Sequence, residues 1–191
     1  VPSPQLPYAE VFVHRQLVVW AAIVWSLGLA TSSAEVVQIE IQKREPYAEG
    51  RAMGDRGPYE KLTGRVRYAI DPKAKINSQI VDVELAPRNA QGLVEFAGDI
   101  EIWAPKDLTK ASGTLLYDVN NRGNKLALGH FNERGGNDPR TVDDAGNGFL
   151  MRKGYSVLWC GWNGDVIPGD GRLQIGLPTA KNGSEPITGK V

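Results

Sequence analysis

The spacing of apolar residues changes partway along the chain, and this change restricts the fold more than any other feature of the sequence. Before Gly113, apolar and polar residues alternate, as in Ile39 and Ile41. This period of two is typical of strands that bury one face. After Gly113, residues 115–119 and 155–160 form short, mostly apolar runs, as in strands buried on both faces of a parallel sheet. The sequence therefore predicts an α/β fold in which antiparallel strands precede parallel ones.

The alternating region predicts four strands, at residues 37–41, 65–70, 80–85 and 93–103. The last two are joined by turn-forming residues at 87–92 and predict a hairpin, in which Gly98 is a candidate β-bulge. Residues 45–57 are polar and rich in glycine, so they predict a loop. One further strand is predicted near the end of the chain, at residues 173–177.

The two apolar runs are separated by a segment that predicts a βαβ unit. Residues 120–136 are rich in Asn, Gly and Arg and predict a loop. Residues 143–153 predict a helix, with acids at its start and bases at its end, and Gly154 is placed to end it. A strand, helix and strand in this order predict two parallel strands with a right-handed crossover.

The N-terminal segment has the pattern of a secretory signal peptide. Residues 17–30 carry no charge, and this run is too short for a membrane span, which needs about 20 residues. Small residues at positions 32–34 predict cleavage after Ala34. We therefore expect residues 1–34 to comprise upstream sequence and a signal peptide at about 15–34, and the mature protein to be secreted or periplasmic without stable membrane insertion. A retained anchor or a buried helix is the alternative.

Composition excludes several classes of function. Lys+Arg and Asp+Glu both number 22, so the chain has no net charge that would favour nucleic acid. Its one cysteine, Cys160, allows no internal disulfide, so the fold depends on its core. The sequence contains no Walker loop, no G-x-G-x-x-G and no paired Cys/His zinc spacing, and we expect no cofactor and no metal.

Several segments, in this order along the chain, resemble the N-terminal half of large secreted bacterial α/β-hydrolase-domain proteins. The segments are 85–90 (LAPRNA), 113–123 (GTLLYDVNNRG), 146–155 (GNGFLMRKGY), 159–165 (WCGWNGD) and 177–180 (LPTA). More loosely, a helix with R-K-G-Y followed by a strand ending in G-D is similar to secreted acyl hydrolases such as cocaine esterase and X-prolyl peptidases. The resemblance spans about residues 37–191.

The resemblance implies an eight-stranded, mainly parallel sheet. The hairpin at 80–103 would be its first two strands, residues 115–119 the third and residues 155–160 the fourth. It further implies β-rich N-terminal hairpins at 35–78 leading into an incomplete α/β-hydrolase domain at 79–191. The nucleophile elbow would follow the fifth strand, beyond Val191, and the chain indeed contains no G-x-S-x-G.

The resemblance also identifies a candidate oxyanion loop. In this fold one donor of the oxyanion hole comes from the loop after the third strand. Here that loop contains Asn120, Asn121, Arg122 and Gly123. A backbone amide in it is a candidate donor, with Gly123 allowing close approach; equally, these residues could form only a tight loop with Asn in a left-handed conformation.

Other candidate residues have simpler structural interpretations. His130 is expected to be a solvated loop residue, and Cys160 a small buried hydrophobe. Asp165 and Asp170 could suggest calcium, but two acids without a third oxygen ligand are better explained as turn and cap residues. Three tryptophans could line a substrate cleft or belong to the core and sheet face: Trp103, Trp159 and Trp162.

Two functions are consistent with these patterns. The first is a secreted hydrolase of ester or related acyl substrates whose serine nucleophile lies outside this chain, so that this chain alone is inactive. The alternative is a non-catalytic, β-rich extracellular module that binds a carbohydrate or cell-surface ligand. The βαβ unit counts against the module, since β-sandwiches do not need one. An exposed parallel edge near residue 115 or 155 is expected if the sheet is incomplete.

Overall fold

The computed structural model describes residues 35–189, and the predicted signal segment lies outside them. One mixed sheet has the order β1-β2-β3-β5-β4, with β6 also paired to β3, and β7 pairs with β8 in a separate two-stranded sheet. The strands are β1 (Glu35–Pro46), β2 (Tyr59–Ile70), β3 (Val94–Pro105), β4 (Leu115–Tyr117), β5 (Ser156–Cys160), β6 (Ile175–Gly176), β7 (Lys181–Asn182) and β8 (Glu185–Pro186). The helices are α1 (Ala127–Phe131) and α2 (Phe149–Arg152). The predicted order of antiparallel strands followed by a parallel pair is confirmed.

Strands β1, β2 and β3 form an antiparallel meander. The β2–β3 register runs without interruption from Tyr59↔Pro105 to Ile70↔Val94. The strands predicted at 37–41, 65–70 and 93–103 are confirmed and are longer than predicted. Because β2 pairs with both neighbours, the sheet is continuous across residue 78, where the resemblance placed the end of an N-terminal extension.

The strand predicted at residues 80–85 is wrong. These residues form a turn and the 3₁₀ helix Val83–Leu85, because Asp82 adopts a left-handed conformation (φ 55°) that no strand accommodates. Val83 is buried against the end of the sheet, whereas Val81 is exposed, so the alternation does not mark a sheet face. The predicted hairpin at 80–103 is therefore also wrong, and the antiparallel partner of β3 is β2.

Gly98 does not mark a bulge in the β2–β3 pairing. Its register with Val66 is regular. A Cβ at Gly98 would lie 3.0 Å from the carbonyl oxygen of Gly161, so the glycine allows the chain after β5 to approach β3 closely. The turn at 87–92 is confirmed, since Asn89 Oδ1 accepts hydrogen bonds from the amides of Gln91 and Leu93.

Strands β4 and β5 are parallel, as predicted, but differ in burial. β5 lies between β3 and β4 and fully buries Val157 and Trp159. β4 is a three-residue edge strand, with Leu115 56% and Tyr117 50% exposed. The prediction that residues 115–119 are buried on both faces is wrong, because β5 is the only strand that pairs with β4 among the described residues.

The crossover from β4 to β5 contains more and shorter helices than predicted. Helix α1 lies within residues 120–136, which were predicted to be loop; its first amides are fixed by the Asp118 carboxylate, which accepts hydrogen bonds from Leu126 and Ala127 at 2.8 Å each. Sequence reasoning missed this helix because its cap lies eight positions upstream of Leu126.

The helix predicted at 143–153 is divided. A 3₁₀ helix at Asp143–Ala145 is separated from α2 by Gly146 and Gly148, whose φ angles of 59° and 65° interrupt the right-handed helix. Gly154 ends α2 as predicted: its φ is 80° and its amide donates to the carbonyl of Met151.

The main core lies between one face of the sheet, the core face, and the crossover. Trp103 and Trp159 pack edge to face with ring centroids 4.6 Å apart, so these two predicted cleft or core residues belong to the core. The Tyr59 hydroxyl donates towards the carbonyls of Met151 and Tyr155, and burial raises its pKa to about 12. Within residues 35–189, no helix has the length and apolar character that a membrane crossing requires.

Candidate functional site

The carboxyl ends of the parallel strands β4 and β5 meet at one edge of the sheet. Their register pairs Tyr117 with Leu158, so the loops at 118–124 and 161–165 leave the sheet side by side. Ligands of open α/β sheets bind in the crevice outside the carboxyl ends of the strands. These two loops, which include all four predicted oxyanion residues, are therefore the candidate site.

Asn120 joins the two loops. It is 1% exposed, its side-chain amide donates to the carbonyl of Cys160 at 2.6 Å, and its Oδ1 accepts from the amide of Gly123 at 2.9 Å. One buried side chain thus holds the end of β5 and the turn after β4 in a single arrangement. Asn120 is a positioning residue rather than a donor to a substrate.

Residues 121–124 form a tight two-residue turn. The backbones of Asn121 and Asn124 exchange hydrogen bonds of 2.9 and 3.0 Å. Between them, Arg122 and Gly123 both have positive φ, at 48° and 81°, a combination typical of type I′ turns. The residues therefore do form a tight loop, but Arg122 and Gly123, rather than an Asn, adopt the left-handed conformation.

Glycine is required at position 123. A Cβ there would lie 2.6 Å from the carbonyl oxygen of Leu173. The amide of Leu173 also donates to the carbonyl oxygen of Gly123, at 3.0 Å. Position 123 is therefore pressed against the chain that leads to β6. The close approach that Gly123 allows here is to this segment of the chain, and the predicted approach to a substrate oxygen stays a prediction.

The backbone amides of the turn differ in availability. The amide of Asn121 donates to Asn124, and that of Gly123 to the Asn120 side chain. The amide of Arg122 has no acceptor among residues 35–189 and lies at the exposed tip. Of these three turn amides, Arg122 alone is free to donate to a bound oxygen atom.

Two side chains from the loop after β5 flank the turn. Trp162 is 52% exposed, and its Nε1 donates to the carbonyl of Asn120 at 2.8 Å. The Asp165 carboxylate lies 3.0 Å from the Arg122 guanidinium, and both side chains are mostly exposed. Solvent screening makes this ion pair weak, whereas the hydrogen bond fixes the indole beside the turn.

A buried ion pair beneath the site was not predicted. Lys125 and Glu101 are almost fully buried and their charged atoms are 2.6 Å apart. Lys125 lies 5.8 Å from the ring centroids of both Trp103 and Trp159, and Trp103 donates to Glu101. Burial lowers the pKa of Lys125, an effect that Glu101 opposes. Nothing in the spacing of a lone Lys and a lone Glu could have revealed this pair.

The remaining predicted residues have structural roles. His130 is exposed on α1. Cys160 is partly buried beside Tyr117, and burial raises the pKa of its thiol, so it is not an activated nucleophile. Asp165 pairs with Arg122, and Asp170, at a positive φ of 51°, pairs with Arg172. Within the part of the chain that the structure describes, no group of three His, Cys, Asp or Glu residues could hold a metal ion.

No family model, curated protein or solved structure matches this chain. The resemblance to α/β-hydrolase-domain proteins therefore stays a prediction from the sequence.

Proposed function

We propose that residues 35–189 form the first part of the catalytic domain of a secreted hydrolase that acts on ester or related acyl substrates. A serine nucleophile, with its acid and histidine, would come from a segment outside this chain. The observation that carries the proposal is an apolar sheet face on which neither described α-helix packs and whose two edges are exposed.

The two faces of the sheet can be assigned from the strand register, because directly paired residues share a face. The core face presents Trp103, Val157 and Trp159. The opposite face, here called the second face, is also apolar and extends across all five strands of the main path. Its members are Val36, Ile39, Ile41, Leu62, Val66, Tyr68, Phe96, Ile100, Ile102, Leu115, Tyr117, Leu158 and Cys160.

Both described α-helices pack on the core face. The buried residues of α1 and α2, among them Leu128 and Met151, belong to the same cluster as Trp103 and Trp159. At one end of the second face Val83 packs on Ile70 and Val94, and in its centre Val66 and Ile100 are only 2% and 4% exposed. Its two edges are open: Ile39 on β1 is 55% exposed, as is Leu115 on β4 at 56%.

Helices cover both faces of all-parallel sheets, whereas a mainly antiparallel sheet such as this one commonly leaves a polar face in water. Here the second face is apolar. An apolar face of this size on the outside of a domain marks a surface that another element covers. The parallel edge at β4 is also open among the described residues, which is the feature expected of an incomplete sheet. We assign both surfaces to further strands and helices of the same catalytic domain.

The candidate site would supply one part of the chemistry. When a serine attacks an acyl carbon, negative charge develops on the carbonyl oxygen, and backbone amides stabilise it. In this proposal the Arg122 amide, which lies at the carboxyl end of β4 in the turn held by Asn120, would donate to that oxygen. Trp162, fixed beside the turn, would contact the apolar part of the substrate.

The proposal is tested on the longest natural polypeptide that contains this chain, with p-nitrophenyl esters as substrates. Asn120→Ala releases the turn and should lower kcat about 100-fold, the typical cost of losing one oxyanion donor, with a small change in KM. Asp165→Asn removes only the exposed ion pair and serves as the matched control, with activity within about threefold of the parent.

Absence of ester hydrolysis by that polypeptide would contradict the proposal. The alternative, a binding module for a carbohydrate or cell-surface ligand, is favoured by one observation, the exposed and immobilised indole of Trp162. The binding-module alternative requires that residues 35–191 are monomeric, unfold cooperatively and bind a glycan. The Trp162→Ala variant should then no longer bind it.

Secretion is part of the same proposal. Cleavage after Ala34 would leave Glu35 as the first residue of the mature protein, directly at the start of β1. N-terminal sequencing of the exported protein tests this, and a mature protein that retains residues 17–30 would support the membrane-anchor alternative.

A further inference from the structure

Most arginines of residues 35–189 have a partner for the guanidinium group. The partners are carboxylates or backbone carbonyls, for Arg44, Arg56, Arg65, Arg88, Arg122, Arg134, Arg140 and Arg172. Within the same range, Arg51, Arg67 and Arg152 have none. Two of these three, Arg51 and Arg152, line a single cleft.

This cleft has a volume of about 200 Å³ and is walled by residues 51–54, Val142, residues 145–148 and Arg152. Its lining contains two arginines and no acid, so it carries two unbalanced positive charges. Two other clefts contain acids: in one, Arg140 faces three aspartates, and in the other three cations face three acids. A cleft lined by one sign of charge concentrates counter-ions of the opposite sign.

The backbone around the cleft is arranged to admit the Arg152 guanidinium. A Cβ at Gly148 would lie 3.4 Å from Arg152 Nη1 and 3.4 Å from the sulfur of Met53. Gly54 faces the stem of the same side chain, with its Cβ position 4.0 Å from Arg152 Cγ. Because neither glycine has a side chain, the Arg152 side chain can lie directly against the backbone at both positions.

The cleft also has an apolar floor. Met53 and Ala145 line it and are buried in the main core. Arg51 is held at its rim by the 3₁₀ helix Ala48–Gly50, to which its amide donates. Arg152 belongs to the R-K-G-Y segment that the sequence analysis singled out, and the candidate site at the carboxyl ends of β4 and β5 makes no use of it.

We propose that this cleft binds a small organic anion, a carboxylate or phosphate that carries a short apolar group. Guanidinium groups bind the oxygens of both anions in a bidentate manner. The cleft volume of about 200 Å³ suits a ligand of this size. Arg152 precedes β5, so the cleft is separate from the loops that follow β4 and β5, and the inference does not rest on the proposed hydrolase activity.

The test is calorimetric titration of the full chain with inorganic phosphate and, separately, with butyrate, at constant ionic strength set with sodium chloride. We expect saturable binding of one anion per chain for at least one probe. Arg51→Gln and Arg152→Gln should each weaken it at least tenfold, because each removes a charged hydrogen-bonding group. Arg152→Lys, which keeps the charge but loses the planar fork, should be intermediate.

Arg67→Gln is the matched control, since Arg67 is an equally unpartnered arginine on β2 that does not line the cleft. It should bind like the parent. Binding of phosphate alone or butyrate alone identifies the preferred head group, and either supports the proposal. Absence of saturable binding of both probes by the parent, or equal affinities of the Arg152→Gln and Arg67→Gln variants, would overturn it. Circular dichroism of each variant confirms that the compared chains are folded.

Discussion

The two faces of the main sheet are built from the same strands with the same alternation, yet they differ in how they are completed. The core face buries Trp103 and Trp159 under the crossover, and there the Glu101 carboxylate is paired with Lys125. The second face is apolar on all five strands but is half-open at β1 and β4, whereas the core face carries charged residues along β1 and β2. An apolar pattern therefore specifies a face to be buried without specifying what buries it.

The largest effect is expected from breaking the ion pair on the core face. Lys125→Ala leaves the Glu101 carboxylate buried without its partner, and loss of one member of a buried pair costs about 3–5 kcal/mol. Urea unfolding of the chain measures this. The double variant Glu101→Gln with Lys125→Met removes both charges and should recover most of the loss; an equally unstable double variant would contradict the role of the pair.

A smaller effect distinguishes the two faces at adjacent positions of β5. Val157 points to the core and is fully buried, whereas Leu158 belongs to the second face and is partly exposed. In the isolated chain, Val157→Ala should lower the free energy of unfolding, measured in urea, by about 2 kcal/mol. Leu158→Ala should lower it by about 1 kcal/mol or less, although leucine has the larger side chain.

The same two variants should differ in the opposite order in a longer polypeptide. In the longest natural polypeptide, coverage of the second face should raise the cost of Leu158→Ala to about 2–5 kcal/mol, while that of Val157→Ala stays the same. If Leu158→Ala already costs more than Val157→Ala in the isolated chain, the second face is packed there and the proposed incompleteness is wrong.

The smallest effect concerns the crossover that completes the core face. Hydrogen bonds from the backbone amides of Thr141 and Arg140 and from the Thr141 hydroxyl lower the pKa of Asp144 to about 2. A carboxylate with a depressed pKa stabilises the folded state above its unfolded pKa near 4, and this contribution is lost as the pH falls towards 2. Asp144→Asn should lower the free energy of unfolding at pH 7, flatten its pH dependence between pH 4 and pH 2, and leave the stability near pH 2 almost unchanged. An unchanged acid profile would show that these bonds do not stabilise the fold.

The parts of the fold that the sequence predicted are those governed by local patterns. Alternation predicted β1, β2 and β3, and the apolar runs predicted β4 and β5. The end of α2 was predicted from Gly154. The prediction of a strand at 80–85 was wrong. Its alternation resembled that of a sheet face, but Asp82 adopts a left-handed conformation that turns the chain. The exposure of β4 could not be predicted either, since it depends on which strand lies beside β5.

The candidate site was predicted only in outline. The loop at 120–123 was identified, and the structure narrows its free donor to the Arg122 amide. The hydrogen bonds from Asn120 to Cys160 and from Trp162 to Asn120 join residues about forty positions apart. Contacts at this separation leave no periodicity in the sequence, and the same is true of the cleft that joins Arg51 to Arg152.

The position of β5 between β3 and β4 has a consequence for synthesis of the chain. Strands β1, β2 and β3 pair in the order in which they are made, but β4 leaves the ribosome with its only described neighbour, β5, still about forty residues behind. At ~5–20 residues per second, β4 waits ~2–8 s with its backbone groups and Leu115 unpaired. A chaperone or export factor that binds nascent apolar segments would have this interval in which to act.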